Sequence, residues 1–149
     1  MRDRQADDGD PSYATPGIAP AEPSQAVMRA ALSAYADRIN QGDRDGILAL
    51  FAPGATIEDP VGTAPKRGQE IVDWFTDTVA FRTHIDQVAP IRGSHANAAA
   101  LIFDVTFHPP EAPPVRIRSL DVCTFDQEGC IVSLKAYWGP DDMVVLADP

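Results

Sequence analysis

Positive charge is scarce in this 149-residue chain: 12 Lys and Arg stand against 22 Asp and Glu, a formal net charge of −10. That surplus repels phosphate backbones and anionic lipid headgroups, so neither nucleic acid nor a membrane surface is expected as a partner. Cysteine is nearly absent. Cys123 and Cys130 are too few for a disulfide framework, and the expectation is two reduced thiols packed as small hydrophobes. No apolar run approaches the roughly 20 residues of a membrane span. Residues 1–23 hold two early arginines but no hydrophobic signal core, so the reading is a cytoplasmic protein.

Familiar catalytic signatures are missing as well. There is no Gly-rich phosphate loop, no Cys-x-x-Cys, no His-Glu-x-x-His and no Gly-x-Ser-x-Gly. His84, His95 and His108 stand far apart with no second ligand at helical or strand offset, so no metal is expected. With no cofactor motif and no evident nucleophile, what remains is acid and base work by carboxylates and a phenol.

Length and a hydrophobic content of 44% fit one globular domain. Residues 1–23 are punctuated by Pro11, Pro16, Pro20 and Pro23 among Asp, Gly, Ser and Ala, and are expected to form a disordered tail before a single domain over 24–149. Ser24 is a helix cap for an apolar series at Met28, Ala31, Leu32, Tyr35 and Ile39, ended by Asn40-Gln41-Gly42. Asp43 caps a second, shorter helix with Ile47, Leu48, Leu50 and Phe51 inward, stopped by Pro53-Gly54. A short strand ends at Glu58-Asp59-Pro60, and Gly68 leads into a third helix carrying Ile71, Val72, Trp74, Phe75 and Val79. Beyond Phe81 the pattern is sheet: a weak strand over Thr83 to Pro90, a stronger one from Ala99 to Phe107, then Val115 to Phe125 and Ile131 to Trp138 around a turn at Asp126 to Gly129. This order predicts an α+β fold, three N-terminal helices against a curved, mainly antiparallel sheet. Such a sheet leaves a conical mouth suited to an apolar ligand.

Three positions stand out for such chemistry. Alternation along Val115 to Phe125 sends Asp121 to the side of Ile117, Cys123 and Phe125, into the apolar interior. A carboxyl there loses hydration, prefers to hold its proton, and can then donate a hydrogen bond. A buried ion pair with Arg116 or Arg118 is the alternative, although both alternate to the opposite face. Asp59 follows Glu58 in a strand, so only one of the two carboxylates enters the interior; a turn-forming Asp before Pro60 is the plainer reading. Tyr35 lies on the apolar face of the first helix, where its hydroxyl needs a backbone partner or a ligand.

The stretches Tyr35 to Asp43 (YADRINQGD), Ala55 to Gly62 (ATIEDPVG), Leu120 to Gly129 (LDVCTFDQEG) and Ala136 to Trp138 (AYW) resemble the bacterial Δ5-3-ketosteroid isomerases. The likeness runs from about Ser24 to Trp138, within the wider nuclear transport factor 2-like (cystatin-like) and SnoaL-like superfamily. By that resemblance Asp59 corresponds to the general base, and Tyr35 with Asp121 to the oxyanion hole. A protonated Asp acting as donor is established for those enzymes and comes with the likeness. The implied reaction moves a β,γ double bond of a small apolar ketone, a 3-oxo-Δ5-steroid, into conjugation, with no cofactor and in a homodimer. Ile39, Phe75, Phe103, Val105, Phe107 and Trp138 are then the expected substrate-binding wall, a plain core role staying open for each. One departure stands out: some members add tyrosines that hydrogen-bond the catalytic phenol, but Phe51 and Phe75 or Thr76 align there. Other functions of the superfamily stay open, a SnoaL-like cyclase, dehydratase or epoxide hydrolase, or a non-catalytic binder of hydrophobic ligands.

Overall fold

Ser24 is extended, and its side chain accepts from the Val27 N–H at 3.2 Å, which starts α1 (Gln25–Gln41). Met28, Leu32, Tyr35, Ala36 and Ile39 form its buried stripe, and Gly42 ends it at φ 65°, a left-handed conformation that glycine adopts without strain. The computed structural model describes Gly17 and residues 21–147. The predicted tail over 1–23 therefore lies mostly outside the described residues, although Ala21 packs against the core and Pro23 is buried. Asp43 caps α2 (Arg44–Leu48) by accepting from the Gly46 N–H at 2.9 Å.

The second helix is shorter than its apolar pattern predicts. It stops at Leu48, and Phe51 opens a strand, β1 (Phe51–Glu58), instead of closing the helix. Non-local pairing explains the difference: the Ile131 N–H donates to the Leu50 carbonyl at 2.8 Å, drawing this segment alongside β6 (Ile131–Tyr137). Pro53 and Gly54 then fall within a register shift between Phe51 and Thr56, where no ladder bond is required of the proline. After β2 (Lys66–Arg67), Gly68 precedes α3 (Gln69–Ala80), which buries Ile71 and Phe75.

The sheet continues with β3 (His84–Gln87), β4 (Ala98–Phe107) and β5 (Val115–Phe125), and closes with β7 (Met143–Val145). Strand order is β2-β1-β6-β5-β4-β3, with β7 paired to β5. Every pairing is antiparallel except β1 with β6. The long β4–β5 ladder runs from Ala98 opposite Thr124 to Phe107 opposite Val115. The helices fold over one face, where Leu32, Phe75, Leu101, Phe125 and Leu134 share a single core. Each such side chain contributes about 1.5–3 kcal/mol by leaving water, which holds the helices to the sheet. Asn40 adds a directional tie. Its amide donates to the Ile85 carbonyl at 2.9 Å and accepts from the Ile85 N–H at 2.7 Å, joining the end of α1 to the outer edge of β3. Among the described residues no helix is long and apolar enough to cross a membrane.

Candidate active site

The inward row of β5 is Ile117, Ser119, Asp121 and Cys123, all buried. The outward row includes Arg118, whose guanidinium donates to both carboxylate oxygens of Asp104 at 2.8 and 2.9 Å on the neighbouring strand. The arginine is thus committed outside, and among the described residues Asp121 has no cationic partner. Asp121 is 2% exposed, and among the described residues its only side-chain hydrogen bond comes from the Ser119 hydroxyl at 3.0 Å. Burial pushes its carboxyl well above the ordinary value, nearby Asp59 pushes the same way, and the Ser119 bond opposes both.

Asp59 follows β1 on the face of Ala55 and Ile57. Glu58 pairs with Lys135, which sets Asp59 beside Ala136, and Ala136 is the partner of Asp121 on the far side of β6. Two strand spacings separate the carboxyl-bearing backbones, roughly 10 Å. The small, buried Ala136 keeps the floor between them low. Trp138, two residues on, donates its indole Nε1–H to Asp59 Oδ1 at 2.9 Å. Burial raises the Asp59 carboxyl; the Trp138 bond and the charge of Lys66 pull it down. The Lys66 ammonium lies 4.2 Å from the centre of the Trp74 ring.

Tyr35 reaches the same space from α1. It is 6% exposed, and among the described residues its hydroxyl has no hydrogen-bond partner. Its ring stands edge-on to Phe51 and Phe75, with centroids 6.4 and 6.2 Å away. Burial first, then Asp121, Asp59 and Cys123, hold the phenol well above its ordinary value.

These three groups open into one cavity of about 310 Å³. Ile39, Phe103, Val105, Phe107 and Trp138 line it as anticipated. Phe75 does not: only 1% exposed, it packs behind Tyr35 against Phe51, supporting the phenol ring rather than facing the cavity. Sequence reasoning missed Ser119, although a polar residue two positions before Asp121 must share its face. Trp74, Asp77 and Thr78 on α3 were missed too, and helical spacing from Ile71 could have marked Trp74 and Thr78 as neighbours on one side. Met143 gave no signal, since its strand is too short to show a period. Among the described residues no three His, Cys, Asp or Glu side chains converge as metal ligands. In chemical terms the cavity offers two carboxyl groups on one face of the sheet and a phenol from α1; burial favours the protonated form of all three, and at Asp59 the indole bond and the charge of Lys66 oppose it.

The SnoaL-like domain family matches residues 32–134. The chain is 38% identical over 120 residues to a steroid Delta-isomerase from Nocardioides simplex, covering 80% of this chain and 96% of that protein. Among solved structures it resembles SalBIII, described as an epoxide hydrolase/cyclase-like enzyme with a role in pyran ring formation in salinomycin. That likeness has a TM-score of 0.74 at 27% identity and covers 80% of this chain and 95% of the other. RV0760c from Mycobacterium tuberculosis, solved with estradiol-17beta-hemisuccinate, shares the fold at TM-score 0.71 and 23% identity, over 79% of this chain and 98% of that one. Three helices on a curved, mostly antiparallel sheet, matched over most of their length by sequence and by structure, show that this chain belongs to the SnoaL-like family, of the nuclear transport factor 2-like fold.

Proposed function

We propose that the chain isomerises 3-oxo-Δ5-steroids to their conjugated Δ4 forms by proton transfer through a dienolate. The Asp59 carboxylate takes the proton from carbon 4, between ketone and alkene, and negative charge collects on the ketone oxygen. Tyr35 and protonated Asp121 donate to that oxygen, and each such donor, fixed before reaction in a site without bulk water, is worth about 10²–10³ in rate. Ser119 donates to Oδ1 of Asp121, which leaves Oδ2 to carry the proton toward the cavity. Asp59, steadied by Trp138, returns the proton to carbon 6.

The observation that carries this reading is a buried carboxyl that, among the described residues, meets no cation and shares an apolar cavity with an unpartnered phenol and with a second carboxyl two strands away. The likeness to a steroid Delta-isomerase supports it. The test is ultraviolet absorbance of the conjugated enone formed from 5-androstene-3,17-dione. Wild type is expected to turn over, and Asp59→Asn to lose roughly 10²-fold or more while keeping its circular dichroism. Steroid binding without turnover would favour a binding module instead.

A second reading has its own support in the resemblance to SalBIII. A carboxylate and a carboxylic acid in one cavity can also activate a nucleophile and protonate an epoxide oxygen. Epoxide opening with no enone formation would select it. In either case the proposed working form is a cytoplasmic homodimer of one domain over 24–149. Its contact would be the outer sheet face, where Leu120, Val132 and Tyr137 are 38%, 39% and 48% exposed.

A further inference from the structure

The cavity has two chemically different ends. At the inner end stand buried Tyr35 and Asp121, with half-buried Asp59 two strands from Asp121. Along β5 the wall runs from Asp121 through Ser119 to Ile117, and β4 runs beside it from Leu101 through Phe103 and Val105 to Phe107. Exposure rises in that direction, from fully buried Leu101 to half-buried Val105 and Phe107, so Phe107 marks the mouth. Four residues of strand separate Asp121 from Ile117, roughly 14 Å, a length comparable with four fused rings.

The mouth is not purely apolar. The His108 N–H donates to the Phe81 carbonyl at 2.8 Å, fastening the end of α3 to the end of β4, and Asp77 and Thr78 sit one turn earlier on the cavity wall. The Thr83 N–H donates to the Thr78 carbonyl at 3.2 Å, which brings Thr83 to the same place. The Thr78 hydroxyl spends its proton on the Trp74 carbonyl at 2.8 Å and keeps only acceptor capacity. Asp77 is exposed at the rim and Thr83 half-buried, and among the described residues neither the Asp77 carboxylate nor the Thr83 hydroxyl has a side-chain hydrogen bond. A carboxylate accepts and cannot donate, so the cluster offers three acceptors and a single donor.

We infer that Asp77, with Thr78 and Thr83, forms a subsite that accepts a hydrogen bond from a hydroxyl at the far end of the substrate's ring system. This rests on the isomerase reading, which places the ketone at Tyr35 and Asp121. Asp77 is then a specificity-determining residue: a distal hydroxyl donates to it, whereas a distal ketone sets two acceptors face to face. The interaction forms on binding and does not change during proton transfer, so it acts on KM rather than kcat.

The test compares two substrates that differ only at the far end, 5-androstene-3,17-dione and 17β-hydroxy-5-androsten-3-one, with wild type, Asp77→Ala and Asp77→Asn. Wild type is expected to favour the hydroxyl steroid by roughly five- to tenfold in kcat/KM, carried by KM. Asp77→Ala brings the ratio close to one, and Asp77→Asn, whose amide accepts from the hydroxyl or donates to the ketone, narrows it by admitting the ketone steroid. Equal ratios in wild type and Asp77→Ala would overturn the subsite. If neither steroid turns over, the same comparison is made by calorimetric binding of testosterone and 4-androstene-3,17-dione. A preference for testosterone lost in Asp77→Ala sustains the subsite although the isomerase reading has failed, and no preference overturns both.

Discussion

Replacing Asp121 by Asn should change how stability depends on pH, whether or not the protein turns over steroids. The carboxyl is 2% exposed, faces no cation among the described residues, and is raised above its ordinary value of 3.8 by burial. It therefore binds its proton more tightly folded than unfolded. Its contribution to stability is fully present below the unfolded value and is lost as pH rises toward the folded one, with a slope of about 1.4 kcal/mol per pH unit between them. Asparagine keeps the shape, lets its carbonyl accept from Ser119, and does not titrate, so the slope disappears. Asp59, also raised, has the same sign, and Asp104, held down by its bonds to Arg118, has the opposite sign; both remain in the variant and largely cancel in the difference. Urea denaturation at intervals from pH 4 to 8 gives the two curves. Wild type should fall steadily behind Asp121→Asn as pH rises. Parallel curves, or a wild type that gains on the variant, would mean that Asp121 ionises in the folded protein as it does in water.

Two activity measurements follow from the same geometry. Asp121→Asn retains a donor toward the cavity and should cost about tenfold or less in kcat, whereas Asp121→Ala removes the donor and should cost about 10²–10³; equal losses would argue against a donor role. Trp138→Phe removes the hydrogen bond that lowers the Asp59 carboxyl, so the acidic limb of the pH profile of kcat/KM should move to higher pH, and an unmoved limb would disconnect Asp59 from the rate.

Much of this was legible from local pattern. Alternation in β5 put Asp121 inside and both neighbouring arginines outside, and the structure has Arg118 bonded to Asp104 on the outer face. The Ser24 cap and Gly42 bounded α1 because caps are local chemistry. What escaped was decided at a distance. Phe51 belongs to a strand because β6 pairs with it, and no property of residues 43–54 records that partner. Phe75 shares the inward side of α3, and the sequence cannot distinguish a ring that faces the cavity from one that backs Tyr35. The departure at the accessory tyrosines, in contrast, was an expectation of the resemblance, with Phe51 and Phe75 or Thr76 at those positions. The Tyr35 ring stands edge-on to Phe51 and Phe75, and among the described residues nothing donates to its hydroxyl. A phenol in that setting is less acidic, which shifts more of the proposed oxyanion stabilisation onto Asp121.

In the proposed mechanism two carboxyl groups in one cavity hold different protonation states at the same pH. Carbon-13 labelling of aspartate, with Asp59→Asn and Asp121→Asn used to assign the two carboxyl resonances, reads both directly through a pH titration. Asp59 is expected to ionise first and Asp121 to keep its proton to clearly higher pH. Asp121 ionising with the surface aspartates, or before Asp59, would contradict it.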